Sequence, residues 1–160
     1  MKAVTIKKIK DELSDKSASE LMDICLHLSK FKKENKELLT YLLFESHDEE
    51  SYILSVKERI DFLFEDINIK SFFYIRKSAR KILTLTKKYI RYSKKKETEA
   101  ELLIYYCRKL KDFSPSIRQS SRLLNVYQTQ LKMIKKAVGT LHEDLQYDYK
   151  IEIEDLEIYS

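Results

Sequence analysis

Between Ile67 and Lys96 the chain carries eleven Lys and Arg and no Asp or Glu. Stepped at 100° per residue, as a 3.6-residue helix requires, nine of these cations fall within about 140° of arc. They are Arg76, Lys77, Arg80, Lys81, Lys87, Lys88, Arg91, Lys94 and Lys95. Cations in such a row can track the phosphates of a nucleic acid, and an arginine fork fits phosphate oxygens. Tyr74 and Tyr92 fall at the border of the row, where a ring can stack on a base. The bland reading is a solvated helix face, or one neutralised by the chain's own acids, with little energy in each exposed pair.

Other chemistries find less support. Gly-rich phosphate cradles need several glycines, and the chain has one. Cys25 and Cys107 are too few and too far apart for a zinc knuckle, and both read as buried free thiols on apolar helix faces. His27, His47 and His142 lie in three separate segments, with no His-x-x-x-His or Glu-x-x-His pair. The runs His47-Asp-Glu-Glu50 and His142-Glu-Asp144 have metal-capable composition, but they read better as helix caps. No local motif frames a Ser, Cys or His nucleophile. No enzyme activity, metal or cofactor is expected.

The elements that position the cations follow from composition. One Gly and one Pro in 160 residues leave too few turn formers for an all-β or α/β fold. The expectation is an all-α chain of seven or eight helices, stacked as a short α-solenoid-like superhelix or an irregular helical bundle. No apolar run approaches the roughly 18 residues that span a bilayer, and a cytoplasmic location is expected. Residues 140–160 hold seven acids and one Lys, against a net +11 over residues 1–139. The expected organisation is a single helical domain over 1–145 and an acidic C-terminal tail over 146–160.

In order, the first helix covers 3–13. Ser17-Ala-Ser-Glu20 is a capping box that opens the second, which runs to about Lys30 and buries Leu21, Ile24, Cys25 and Leu28. The third runs from about Glu34 to Glu45. Ser46-His-Asp-Glu49 opens an acidic fourth helix that runs to about Ile67. Asn68 or Ser71 caps the basic fifth helix, 71–95, whose apolar arc holds Ile75, Ala79, Ile82, Leu83, Thr86, Tyr89 and Ile90. Thr98-Glu-Ala-Glu101 opens the sixth. Ser114-Pro115 reads as an N-cap and first helical residue of the seventh, which runs to about Val138. Gly139 is placed for a left-handed C-terminal cap. The tail alternates like a strand over Tyr147–Glu154 and also fits helical spacing; helix or a partly ordered tail is expected, with intermolecular strand pairing the other reading.

A shift of 64 residues aligns Ser29–Tyr41 with Ser93–Tyr105 at seven identities in thirteen. It suggests two three-helix units, 17–67 and 71–138. The segment Glu12-Leu-Ser-Asp-Lys-Ser-Ala-Ser-Glu-Leu, followed by Lys33-Glu-Asn-Lys-Glu-Leu-Leu-Thr-Tyr-Leu, resembles the start of a family of small uncharacterised bacterial helical proteins. That resemblance covers about a quarter of the chain and implies no activity or site residues. The expected role is a non-enzymatic protein-interaction module with an unidentified protein partner or acidic segment. The alternative is binding of nucleic-acid phosphates through the basic helix 71–95. Which one holds depends on whether the acidic helix 48–66 or the tail covers the cations.

Overall fold

The computed structural model describes residues 1–159, apart from the side chains of 158–159. Residue 160 of the expected tail lies outside the described residues. Among those described, every regular element is helical: α1 (Ile6–Ser14), α2 (Ala18–Phe31), α3 (Lys33–Thr40), α4 (Glu49–Glu65), α5 (Phe72–Ser93), α6 (Lys96–Lys111), α7 (Ser121–Val138) and α8 (Glu143–Tyr159). A π-turn, Tyr41–Glu45, follows α3, and a 3₁₀ turn, Ile117–Gln119, precedes α7. No described helix is long and apolar enough to cross a membrane. The strand-like alternation at 147–154 is helix.

The chain forms two compact units, Met1–Phe44 and Glu45–Ser160. The boundary falls inside the first proposed repeat, 17–67, while 71–138 lies wholly in the second unit.

In the first unit, the expected capping box forms. Ser17 Oγ accepts from Glu20 N and Glu20 Oε2 accepts from Ser17 N at 2.8 Å. The expected burial does not follow. No residue of α1, α2 or α3 is buried. Ile24 is 37% exposed, Leu28 51% and Phe31 71%, and Cys25 is exposed. A 44-residue unit has too little chain to close a core over its apolar stripes.

In the second unit, α6 is the centre. It contacts α4, α5, α7 and α8. Leu102, Leu103, Tyr106, Cys107 and Leu110 are fully buried on it, as befits a helix apolar on most sides. Its neighbours turn one face each inward: Tyr52, Val56, Ile60 and Phe64 from α4, then Ile75, Ala79, Ile82, Leu83 and Ile90 from α5. From α7 come Leu123, Tyr127, Leu131 and Ile134, and from α8 Tyr149 and Leu156. The tail is therefore part of this unit's core.

Several helix ends differ from expectation. The N-cap of α4 is Asp48, whose side chain accepts from Ser51 N at 3.1 Å, rather than Ser46, and Ser71 precedes α5 without a side-chain cap bond. The Ser114–Pro115 peptide is cis, and the N-cap of α7 is Ser120, whose side chain accepts from Leu123 N. Fully buried Ile117 anchors the intervening turn and delays the helix. Gly139 takes φ −61 and ψ −13, because the chain goes on through right-handed turns with Thr140 N bonded to Ala137 O and Leu141 N to Val138 O. The left-handed residue is Lys94, at φ 59, where α5 breaks into α6. Finally, α6 starts at Lys96, and Thr98 lies inside it. Its hydroxyl is held by Glu49 Oε1 at 2.6 Å in place of capping.

Candidate functional site

The apolar arc of α5 is committed to the core, so its opposite face must point outward. Ile75, Ala79, Ile82, Leu83, Thr86 and Ile90 are buried, and Tyr89 is half-buried with its carbonyl accepting from Tyr52 OH at 2.9 Å. Thr86 is tolerated inside because its hydroxyl donates to Ile82 O at 2.9 Å. Lys77, Arg80, Lys81, Arg91, Lys94 and Lys95 are exposed, and Arg76, Lys87 and Lys88 are half-buried.

The nine cations resolve into two rows. Arg76, Arg80, Lys87, Arg91 and Lys94 occupy about 60° of the wheel, and Lys77, Lys81, Lys88 and Lys95 the next 40° or so. The first row runs about 27 Å along the helix. It borders two cavities against α6 and α7. One, of about 460 Å³, is walled by Arg80 and Thr84 of α5 and by Arg122, Asn125, Thr129 and Gln130 of α7. The other, of about 550 Å³, has Lys87, Arg91, Lys94, Lys96 and Glu99 around a floor of Ile90, Leu103 and Met133, with Lys96 paired to Glu99 at 2.6 Å. Lys87 Nζ reaches Met133 Sδ at 3.4 Å. The result is a groove whose second cavity has an apolar floor and a mainly cationic rim that also holds Glu99.

The chain's own acids are engaged largely elsewhere. From α4, Asp61 pairs with Lys109 at 2.9 Å and accepts from Tyr105 OH at 2.7 Å. Glu101 takes Lys57 at 2.9 Å and Tyr149 OH at 3.0 Å. From α8, Glu152 meets Arg108 at 2.8 Å, Asp155 meets Lys111 at 2.7 Å, and Glu157 meets Lys135. The tail thus pairs with α6 and α7. Among the described residues, Arg76, Lys77, Arg80, Lys81, Lys87, Arg91, Lys94 and Arg122 have no carboxylate oxygen within 4.0 Å. At the C-terminal end of the stripe, Lys95 is held by Glu49 at 3.0 Å, and Lys88 Nζ lies 5.5 Å from the Tyr89 ring centroid.

The two border tyrosines part company. Tyr74 is 46% exposed and meets Phe73 edge to face, with centroids 5.4 Å apart. Tyr92 is only 9% exposed and packs near Tyr89 with centroids 6.0 Å apart. Its position at the wheel's border is covered by neighbouring helices, so it offers no open stacking face. Arg122, Asn125 and Gln130 escaped the sequence reading. They stand alone among apolar and uncharged neighbours on α7, and only packing across α6 brings them beside Arg80.

No group of three or more His, Cys, Asp or Glu among the described residues is gathered to hold a metal. Cys107 is fully buried, and burial pushes its thiol up to about 12. No family model, curated protein or solved structure matches the chain.

Proposed function

We propose that the second unit binds nucleic acid along its phosphate backbone through the groove that α5 makes with α6 and α7. The observation that carries this reading is the unpaired first row. Five cations spaced along about 27 Å of helix keep no carboxylate partner among the described residues, although the same unit is rich in acids. Aligned cations of one sign raise the local potential and attract a polyanion. The apolar floor between Lys87 and Lys94 suits a base rather than a bare ion. The groove holds a ligand and performs no chemical step on it.

The test is an anisotropy titration of a labelled oligonucleotide at low ionic strength, repeated as salt rises. Affinity should fall linearly on a log–log plot. Absence of binding at the lowest salt would end this reading.

A second reading, the protein-interaction module, has its own observation. Leu21, Ile24, Leu28 and Phe31 follow the three–four–three spacing of a coiled-coil seam, and all but Leu21 are exposed. That stripe suits an amphipathic helix of a protein partner. Leu28→Lys should abolish capture of such a helix and leave oligonucleotide binding untouched.

A further inference from the structure

The first unit wears its apolar side chains on the outside. Ile24, Leu28 and Phe31 of α2 stay exposed, and they fall within about 60° of the helix wheel. The neighbouring helix α3 packs on α2, yet only Leu21 and Ser29 of α2 are half-buried. None of the three helices of this unit buries a residue. A unit this small, with apolar faces and no core under them, is of the kind that oligomerisation completes.

The charges along α2 point to the occupant. From Asp11 to Asp23 there are five acids and one Lys, and from Lys30 to Lys36 four Lys and one Glu. Asp23, Lys30 and Lys32 have no oppositely charged group within 4.0 Å among the described residues. A helix that is acidic at its start and basic at its end matches a copy of itself laid antiparallel. Laid parallel, it would set like charge on like. An antiparallel pair about a two-fold axis also needs only one patch, used by both chains.

We infer that α2 is a homodimer interface, in which the seam of Ile24, Leu28 and Phe31 packs antiparallel on the same seam of a second copy and the acidic end of each helix lies beside the lysine end of the other. The inference rests on the reading of this stripe as a protein interface and names the partner. Cys25 lies about 90° of arc from the centre of the seam, at the rim of the pair, and keeps its access to solvent.

Sedimentation velocity of the full chain tests this at about 10 mM salt, where charges act over about 30 Å. Wild type should pass from monomer to a dimer of twice 19.2 kDa as its concentration rises through about 1–100 μM. Leu28→Lys puts a charge into each seam and should raise the dissociation constant at least about a hundredfold. Changing Lys30 and Lys32 together to Glu makes both ends of α2 acidic. It should raise the constant about tenfold at low salt and hardly at all at about 1 M. A dimer unchanged by Leu28→Lys uses another face, and one unchanged by the Lys30 and Lys32 pair is not antiparallel; either result overturns the inference. A wild type that stays monomeric but binds a synthetic amphipathic helix with a leucine seam overturns the self-pairing alone. One that stays monomeric and binds no such helix overturns the interface reading as well. If Leu28→Lys fails to fold, the Lys30 and Lys32 pair decides, since both side chains are exposed.

Discussion

Lys95 Nζ stands 3.0 Å from Glu49 Oε2, and the other oxygen of Glu49 accepts from Thr98 Oγ1 at 2.6 Å and from Ser93 Oγ. One carboxylate at the start of α4 thus ties the end of α5 to the first turn of α6. Thr98 is fully buried, and its hydroxyl also meets Ser93 Oγ at a longer 3.3 Å. Glu49→Ala should cost about 2 kcal/mol, the worth of the hydrogen bonds that two hydroxyls make to a charged acceptor. Urea denaturation measures it. A change under about 0.5 kcal/mol would mean that the knot is incidental.

The first cationic row sets the salt response. If all five of Arg76, Arg80, Lys87, Arg91 and Lys94 sit on phosphates of a single strand, the log–log slope is about −3.5. Changing Arg80 and Arg91 together to Gln should make it shallower by about 1.4. Both side chains are exposed and unpaired among the described residues, so stability should move by less than about 0.5 kcal/mol. A weakened complex with an unchanged slope would show that these two arginines do not meet phosphates.

What the sequence disclosed and withheld follows the range of the interactions. The helices were legible because apolar spacing and the Ser17 capping box are local signals. The cationic row was legible for the same reason, since it lies on one helix. Burial on α2 was misjudged because periodicity marks an apolar face without saying whether anything covers it. Tyr92 failed likewise: its wheel position is a border, and its burial depends on neighbours. Arg122 and Gln130 lie more than 40 residues from Arg80 in the chain, and nothing near them signals a groove. The end of α7 shows a local signal overruled, with Gly139 in right-handed geometry and Lys94 in the left-handed cap.

The two cysteines should differ sharply in reactivity. Cys25 is exposed, while Cys107 is fully buried and its thiol is pushed up to about 12 by burial. A thiol reagent near neutral pH should therefore modify one thiol per chain quickly, and the second only on unfolding, at least about a hundredfold more slowly. Mass spectrometry after a brief pulse should place the label on Cys25. Comparable labelling of both would contradict the burial at the centre of α6.

The acidic tail should act on stability rather than on access to the groove. Leu156 is fully buried, and its carbonyl accepts from Tyr127 OH at 2.8 Å. Leu156→Ala should cost about 2–4 kcal/mol, and removal of residues 144–160 should cost more. Glu152 and Asp155 pair with Arg108 and Lys111, away from the first row, so neutralising both should leave oligonucleotide affinity within about twofold. A large gain in affinity would restore the tail as a cover for the cations.

Asp61 joins α4 to α6 at a node that titrates in two directions. Burial works to raise its carboxyl, but hydrogen bonds from Lys109 and Tyr105, with the Lys109 charge, outweigh it and hold the group below its ordinary value of 3.8. A carboxyl lowered by folding contributes stability that is complete above its unfolded value and is lost as pH falls through the folded one. Tyr105 runs the other way. Burial first, then the bond to Asp61, pushes its phenol from 10.0 up to about 12, so its share is complete below 10.0 and is lost as pH rises toward 12. Asp61→Asn should therefore be less stable than wild type near pH 6, with the gap closing by about pH 2. Tyr105→Phe should soften the alkaline limb without removing it, because burial also raises Cys107 and Tyr106. Urea denaturation of the three proteins across the pH range checks both limbs. A gap between Asp61→Asn and wild type that stays constant from about pH 6 to pH 2 would place the effect in shape rather than charge.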